Sequence, residues 1–336
     1  MINRLRAVQL GAAFPYVLLV VFTLCFTVIP PVMGYEVSSI NLFNIGQSFA
    51  TYAPLALGLA LLMLAGEFDL SLAALYGLGA MLAVKTGADS PLTGVLVAVA
   101  VAATVGLVNG LLVTIGGLNS VSVTLGSYIA VSGLLLVISD NASVPYLNYE
   151  VGLNLDAVIL TVLSRRSLIA IALFVLVGVV LRFTRWGRDL RAIGGDRRAS
   201  RVAGVRVRRM LIATFMVAAV LAAVPGALLG YSLSSASPAY GGFPSLVFAI
   251  TAVLIGGVAL SGGQGTALGA AAGVLSLALL KETLAVVAAP SYASDLISGA
   301  LLAAIAILAA PHLLRGARAR RWVNTRPPAP EVPIAA

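Results

Sequence analysis

Charged residues, cysteine and histidine are all scarce in this sequence. Only 10% of its 336 residues are charged, whereas 60% are hydrophobic. About a quarter of the residues of a soluble domain are charged, and its surface needs a polar cover that this composition does not supply. The composition therefore excludes a soluble globular protein and predicts a chain that lies mostly in a lipid bilayer.

The few reactive side chains exclude most kinds of chemistry. Cys25 is the single cysteine and His312 the single histidine, so neither a disulfide framework nor a zinc site of Cys and His ligands can form. The sequence has no Gly-x-x-x-x-Gly-Lys-Ser/Thr phosphate-binding loop and no Ser/His or Cys/His arrangement for a nucleophile. We therefore predict no catalytic residue, no metal and no cofactor, and we expect that the chain alone does not hydrolyse ATP.

The basic residues are clustered. The formal net charge is +9, and most Lys and Arg residues fall in three groups: Arg4 with Arg6, ten arginines at 182–209, and five at 315–326. An excess of Lys and Arg marks the cytoplasmic side of a membrane protein. Nucleic-acid binding is the alternative explanation, but no aromatic-interleaved basic motif accompanies the clusters. The charge pattern therefore predicts topology and no nucleic-acid partner.

Uncharged runs predict about ten membrane-spanning helices in an all-α, polytopic fold, since a helix crosses the hydrocarbon core in about 20 residues. The predicted spans lie at 7–35, from about 52 to 66, 70–85, two within 90–139, 167–182, three within 210–280, and about 294–313. The polar start of the second run, from Ser38 to Tyr52, is interpreted as a separate interfacial piece. An even count places both termini and the arginine-rich loop in the cytoplasm. A transmembrane domain, 1–314, then precedes a basic, proline-rich cytoplasmic tail, 315–336.

Two segments interrupt the apolar runs and are candidates for a functional site. Gly66–Ser71 carries Glu67 and Asp69 between two short apolar runs, and the segment 256–265 is rich in glycine. Carboxylates and non-helical backbone at membrane depth usually face a cavity or a protein partner. Glu67 and Asp69 are equally consistent with a simple cytoplasmic turn between the second and third spans.

Polar side chains of the fourth and fifth spans are a third candidate. Asn109 lies deep in the fourth span, and Thr124 and Ser127 follow the turn into the fifth. Their amide and hydroxyl groups either line a polar path or hydrogen-bond one helix to another. With Asp69 and Ser71, they are the residues that we predict for a substrate pathway.

The arginine-rich loop at 182–209 is too long and too charged to be a simple connector. Asp196 is a plausible N-cap, and the following residues predict a short helix that ends at Gly204. Such a helix, with basic ends, suits anionic membrane lipid or a protein partner. Positive charge that only fixes topology, without a partner, is the alternative.

An ordered set of short motifs gives a resemblance over about residues 40–310. In chain order they are Asp69-Leu70-Ser71, Asn109-Gly110-Leu111-Leu112, Val123-Thr124-Leu125-Gly126, Gly194-Gly195-Asp196, Ala203-Gly204-Val205, Ile255-Gly256-Gly257 and Leu260-Ser261-Gly262-Gly263-Gln264-Gly265. With this set, the chain resembles the membrane subunit of ribose-type ABC importers, the permeases that serve monosaccharides and related small polar solutes. Each motif alone is weak, whereas the ordered set is specific.

The resemblance implies a type II ABC importer-like permease that forms a homo- or heterodimer in the bacterial inner membrane. Cytoplasmic ATP-binding subunits flank such a pair, and an extracytoplasmic solute-binding protein delivers the solute. In that family the loop after the sixth span docks on the ATPase as a coupling helix. On this chain the role falls on Gly195, Asp196, Ala199, Ala203 and Gly204.

Three places depart from the pattern of that family. Glu67 and Phe68 stand where relatives often have Gly and Ile. Ser245 lies in a region where relatives tend to carry an acid, and Lys281-Glu282 replaces a frequent Asn-Gly. These departures leave the particular solute undetermined by the resemblance.

The sequence thus predicts the permease subunit of an ATP-driven importer of a small polar solute. An ion-coupled secondary transporter is the alternative, and it would use the intramembrane acids Glu67 and Asp69 at its coupling site. A membrane-embedded enzyme ranks third, because the chain lacks a catalytic constellation.

Overall fold

The computed structural model describes residues 2–159, 161–305 and 307, with side chains from residue 13 onward. His312 and the predicted tail at 315–336 therefore lie outside the described residues. The helices in chain order are α1 (Ile2–Val32), α2 (Ser39–Leu64), α3 (Ser71–Thr86), α4 (Pro91–Thr114), α5 (Ser120–Ser139), α6 (Tyr149–Asp156), α7 (Arg165–Phe183), α8 (Arg185–Gly195), α9 (Arg197–Val202), α10 (Val207–Ser232), α11 (Phe243–Ile255), α12 (Ala267–Val286) and α13 (Ser291–Ile305).

The apolar helices correspond to the ten predicted spans. Within the described ranges, eight helices are long and apolar enough to cross a membrane, while α3 and α13 are shorter apolar helices. The turn between the fourth and fifth spans lies between Thr114 and Ser120, as predicted, and the glycine-rich segment separates α11 from α12. The prediction of an all-α, polytopic membrane protein is confirmed, and the cytoplasmic placement of the termini stays a prediction.

The prediction of a separate interfacial piece before the second span is wrong. Helix α2 is continuous from Ser39 to Leu64. The amide groups of Asn41 and Asn44 donate to Glu282 Oε1 at 2.9 and 3.1 Å, and Gln47 donates to Asp156 at 2.9 Å. Because carboxylates from distant segments accept hydrogen bonds from these amides, the polar first turns continue the helix of the second span.

Helices α2, α3 and α10 form the centre of the molecule, and α4 packs on α3 and α10. Small residues allow the close approach that membrane helices use in place of a hydrophobic driving force. A Cβ added to Gly79 of α3 would lie 2.8 Å from Ala223 Cα of α10, too close for any side chain. Helix α3 has 16 residues and is buried along nearly its whole length. At 1.5 Å per residue it is about 24 Å long, which is less than the ~30 Å hydrocarbon core.

The outer helices carry the lipid-facing surface. Large apolar side chains of α4, α5 and α7 are exposed, for example Leu96, Ile129 and Leu176. In a soluble protein such a surface would aggregate, whereas lipid tails cover it in a membrane. The placement of these helices therefore agrees with the apolar composition from which the membrane location was predicted.

Two short antiparallel ribbons shape one end of the bundle. Strand β1 (Val144–Pro145) pairs with β4 (Ser235–Ala236), and β2 (Val158–Ile159) pairs with β3 (Leu163–Ser164). A 3₁₀ turn, Pro238–Gly241, follows β4 and leads to α11. These ribbons bring the connection after α5 close to the end of α10, where a cavity described below opens.

Candidate transport and coupling sites

The loop at 182–209 contains two helices, α8 and α9. The Asp196 carboxylate accepts hydrogen bonds from the backbone N–H groups of Arg198 and Ala199 at 2.7 and 3.0 Å, so it is the N-cap of α9. Gly204 ends this segment with φ +83°, a conformation that favours glycine. The predicted N-cap and the predicted helix end are confirmed.

The sequence reasoning missed helix α8. Its Gly187, Leu190 and Ile193 are buried, while Arg185 and Arg188 of the same helix are exposed. The three buried residues are spaced three apart, which is the amphipathic pattern of a helix. This spacing was the signal that could have revealed α8, although the many arginines obscured it.

All five residues that were predicted for ATPase coupling are exposed on α9 or beside it. Val202 of the same helix is an apolar side chain that is 90% exposed. The segment therefore exposes small residues, the charged Asp196 and one apolar side chain. Its function in coupling is a prediction that the geometry accommodates.

Three glycine-containing segments from distant parts of the sequence meet beside this loop. A Cβ on Gly194 would lie 2.5 Å from Gly263 N and would overlap the Leu64 carbonyl oxygen, and a Cβ on Gly262 would lie 2.9 Å from Gly66 Cα. The Gly263 N–H donates to Leu64 O at 2.9 Å. We call this contact of Gly66, Gly194 and Gly262-Gly263 the glycine junction. It joins the end of α8 to both interruptions predicted from the sequence.

An ion pair fastens the start of α9 to the same place. Arg197 Nη2 lies 2.6 Å from Glu67 Oε1 and 3.3 Å from the Gly66 carbonyl oxygen. The Glu67 side chain is 6% exposed and that of Arg197 is 39% exposed. The Glu67 carboxylate is therefore paired, because Arg197 of the predicted coupling loop neutralises its charge.

Asp69, Ser71, Asn109 and Ser127 are linked by hydrogen bonds, and Thr124 bonds to the backbone beside them; we call these five predicted pathway residues the buried polar network. Asp69 Oδ1 accepts from the Ser71 N–H at 2.7 Å and from the Ser71 hydroxyl at 2.6 Å. Asn109 donates to Ser71 Oγ at 3.0 Å and accepts from the Ser127 hydroxyl. Thr124 Oγ1 accepts from the Leu70 N–H at 3.1 Å. The network ties the interruption after α2 to α4 and α5.

The network is buried, and its members line neither of the two cavities described below. Asp69, Ser71, Asn109 and Thr124 have no exposed surface. These side chains hydrogen-bond one helix or segment to another, which is one of the two roles that the sequence left open for them. Their part in a substrate pathway stays a prediction.

Replacing Asn109 tests whether the network stabilises the fold. Asn109→Leu removes both hydrogen bonds, so the half-buried Ser127 hydroxyl loses its acceptor and the buried Ser71 hydroxyl keeps only its bond to Asp69. We expect a loss of about 1–3 kcal/mol of stability, measured as a lower thermal unfolding midpoint of the detergent-purified protein. Thr104→Val on the same helix is the control, because Thr104 is lipid-exposed and bonds only within its helix, to Ala100 O. Equal midpoints for both variants would contradict the assignment.

A basic cavity of about 620 Å³ lies beside the glycine junction. Arg197, Arg201 and Arg208 line it opposite Glu67, so cations outnumber anions. The start of α5 forms another wall through Asn119 and Ser120. The cavity therefore opens between the predicted coupling loop and the interruption after α2.

A second cavity, of about 500 Å³, lies near the opposite end of α2. We call it the polar cavity. The residues that line it include four from α2, three tyrosines or serines from other segments, and two charged residues of α12: Asn44, Gln47, Ser48, Thr51, Tyr76, Tyr240, Ser245, Lys281 and Glu282. Two of the three departures from the resembled family, at 245 and at 281–282, thus meet in one cavity.

A partly buried ion pair supports the wall of the polar cavity. Arg166 Nε lies 3.0 Å from Asp156 Oδ1, and Arg166 also donates to Thr51 Oγ1 at 3.2 Å. Asp156 further accepts from Gln47 and from the Ser232 hydroxyl. The sequence reasoning assigned no role to Arg166 or Asp156, because their partners are distant in sequence and no motif joins them.

Comparison with known proteins places this architecture in a family. The family model described as the branched-chain amino acid transport system / permease component matches residues 41–306. The chain belongs to this permease family. The match begins in α2 and ends at α13, so it covers the glycine junction, the predicted coupling loop and both cavities.

Curated relatives of the permease include sugar importers. It is 30% identical to the ribose import permease of Escherichia coli strain K12 over 75% of this chain and 80% of that protein. It is 29% identical to the L-arabinose transport system permease of the same strain, over 87% and 89% of the two chains. A probable ABC transporter permease of Sinorhizobium fredii is 29% identical, over 88% and 86%. No solved structure gives a significant match.

The family identifies the class of protein. The chain is the membrane-spanning permease subunit of an ABC importer and lies in the inner membrane, while ATP hydrolysis belongs to separate subunits of such importers. An importer of this kind works with ATPase subunits, a solute-binding protein and a second permease. The comparisons give no support to the ion-coupled alternative, and both of its candidate acids have protein partners, Glu67 in Arg197 and Asp69 in Ser71.

Proposed function

We propose that the permease imports a monosaccharide or a closely related polyhydroxy solute. Relatives whose names specify ribose and L-arabinose align over most of their length with this chain. The family description instead names branched-chain amino acids, so the solute class has two candidates. The sugar is favoured because the similar curated proteins include import permeases named for ribose, fructose and L-arabinose.

We further propose that α9 transmits the motion of the ATPase. Gly195, Asp196, Ala199, Ala203 and Gly204 are the docking surface in this proposal, with both chain termini on the same, cytoplasmic side. The observation that carries it is the glycine junction, where the end of α8 touches both interruptions of the transmembrane helices. A displacement of the loop then moves both interruptions, because the backbones of the three segments are in close contact and transmit the displacement.

The buried polar network has a place in this mechanism. Asp69, Ser71, Asn109, Thr124 and Ser127 hold the interruption after α2 against α4 and α5. We propose that this anchors the segment on one side while the coupling loop moves it on the other. The solute path then opens or closes beside the network as the two permease subunits switch the side that is open.

ATP-dependent uptake into proteoliposomes tests the proposed function. The vesicles contain the permease with its ATPase, and the solute-binding protein is added outside. We expect uptake of the sugar only when ATP, the ATPase and the binding protein are all present. Uptake that is driven by an ion gradient without the ATPase would contradict the proposal.

Substitution of Asp196 tests the coupling surface. Asp196→Arg removes the N-cap and reverses a charge on the docking face, so we expect uptake to fall about tenfold or more. The purified chain should retain most of its thermal stability, because the loss of a cap costs only about 1 kcal/mol. Asp196→Asn is the matched control, because asparagine caps equally well. Wild-type uptake in the Arg variant would refute the assignment of α9.

A further inference from the structure

Among the residues that line the polar cavity, Tyr76 carries a buried hydroxyl that no described protein group satisfies. Tyr76 is 1% exposed, and its hydroxyl has no hydrogen-bond partner among the described residues. The Tyr76 side chain lines this cavity together with Tyr52, Tyr240 and Ser245. An unpaired polar group in a buried site costs stability, so its retention points to a partner that is not part of the chain.

Other groups of the cavity also have unused hydrogen-bonding capacity. Asn41 and Asn44 both donate to Glu282 Oε1, and no described hydrogen bond goes to Glu282 Oε2. The Lys281 ammonium lies 5.5 Å from the centre of the Tyr52 ring, and no carboxylate of the described chain pairs with it. The Lys281 ammonium as a donor, Glu282 Oε2 as an acceptor and the Tyr76 hydroxyl therefore all belong to the lining of the polar cavity.

An aromatic surface forms part of the same wall. The Tyr52 ring stacks on Phe248 with a centroid separation of 4.2 Å and an interplanar angle of 27°, which fixes its orientation. A rigid aromatic face beside hydroxyl, amide and charged groups suits a small molecule that has both C–H and O–H surfaces. The two aliphatic residues among the described lining are Leu229 and Ala239.

The charge of the lining further restricts the class of ligand that the cavity can bind. Lys281 and Glu282 balance each other, and the Arg166–Asp156 pair behind the wall is also neutral as a unit. A balanced site does not favour a ligand with net charge. A branched aliphatic side chain would bury its apolar surface against polar groups, which is unfavourable. The hydroxyl groups of a neutral polyol can pair with the Tyr76 hydroxyl, accept from the Lys281 ammonium and donate to Glu282 Oε2.

We propose that the polar cavity is a solute-binding site within the permease itself, which takes a neutral monosaccharide through the Tyr76 hydroxyl, the Lys281 ammonium and the Glu282 carboxylate. The proposal deepens the proposed function and rests on it for the class of solute. Because the site lies at the far end of α2 from the coupling loop, it is the region in which an imported solute first meets the permease.

Saturation-transfer NMR on the full-length permease in lipid nanodiscs tests the site without any partner protein. The probes are ribose, fructose and leucine at millimolar concentrations. We expect signals from a sugar and none from leucine. Tyr76→Phe should weaken sugar binding about tenfold, the effect of one lost hydrogen bond of about 1.4 kcal/mol, while the thermal midpoint stays the same or rises, because an unpaired polar group is removed.

Tyr146→Phe is the matched control. The Tyr146 hydroxyl is buried and donates to Gly87 O at 2.9 Å, away from the cavity lining. This variant should lower the thermal midpoint and leave sugar binding unchanged. Equal sugar binding by the wild type and Tyr76→Phe, binding of leucine alone, or no binding of either sugar would each overturn the assignment. These results are independent of ATP-driven uptake, so failure of the site and failure of the proposed function are distinguishable.

Discussion

Gly194→Ala is expected to abolish ATP-driven uptake, while Gly133→Ala leaves it unchanged. A methyl group on Gly194 would overlap the Leu64 carbonyl oxygen and lie 2.5 Å from Gly263 N, both of which are backbone atoms that cannot turn aside. Gly133 of α5 has no described heavy atom within 4 Å of an added Cβ and belongs neither to the docking surface nor to the buried polar network. Both substitutions add the same atom, so the difference between them reports the contact and not the loss of glycine.

Uptake should fall in Gly194→Ala to the level of vesicles that lack the ATPase. Overpacking of this kind costs roughly 1–3 kcal/mol and is relieved only by separating the segments. The thermal midpoint and the ATPase rate of the assembled importer, measured on the same preparations, show whether the complex still forms. If both glycine variants transport equally well, the glycine junction does not connect the loop to the helix interruptions.

Arg197→Ala is expected to reduce uptake severely, and Glu67→Gln in the same chain should restore part of it. Removal of the arginine leaves the Glu67 carboxylate, which is 6% exposed, without its cation. Loss of one partner from a fully buried pair costs roughly 3–5 kcal/mol. The cost is smaller here because Arg197 is itself 39% exposed and solvent screens the pair. The neutral amide of Gln does not require the cation, which is the reason for the rescue.

The measurement is a double-mutant cycle of uptake rates over the wild type, the two single variants and the double variant. Arg198→Ala is the control, since Arg198 is the next residue of α9 and its side chain is exposed. It should transport like the wild type. Strictly additive effects of the two substitutions would show that the ion pair does not link the loop to the interruption after α2.

The sequence predicted the helices well because the bilayer leaves few choices to the backbone. Every spanning segment must satisfy its own hydrogen bonds, so an uncharged run of sufficient length implies a helix. The prediction of a separate interfacial piece failed at Asn41, Asn44 and Gln47 because their hydrogen bonds are not local. Their acceptors, Glu282 and Asp156, lie far along the chain, and no local pattern reveals that they cover the start of α2.

The same distinction separates the predicted and the missed parts of the site. The N-cap Asp196 and the end at Gly204 follow from local chemistry and were predictable. The glycine junction needs three separate segments to meet, and the partnerless hydroxyl of Tyr76 is defined by the surroundings of the side chain. Neither property belongs to a residue type or a spacing, so a single sequence does not show them.

The shortness and burial of α3 have a consequence for biogenesis. This helix is too short to match the bilayer by itself, and the helix that covers much of its surface, α10, begins only at Val207, long after α3 ends at Thr86. During synthesis α3 therefore emerges without its principal neighbour. We expect it to remain beside the insertion machinery, or loosely held by α2 and α4, until α10 has been translated, so that the order of insertion differs from the order of the chain.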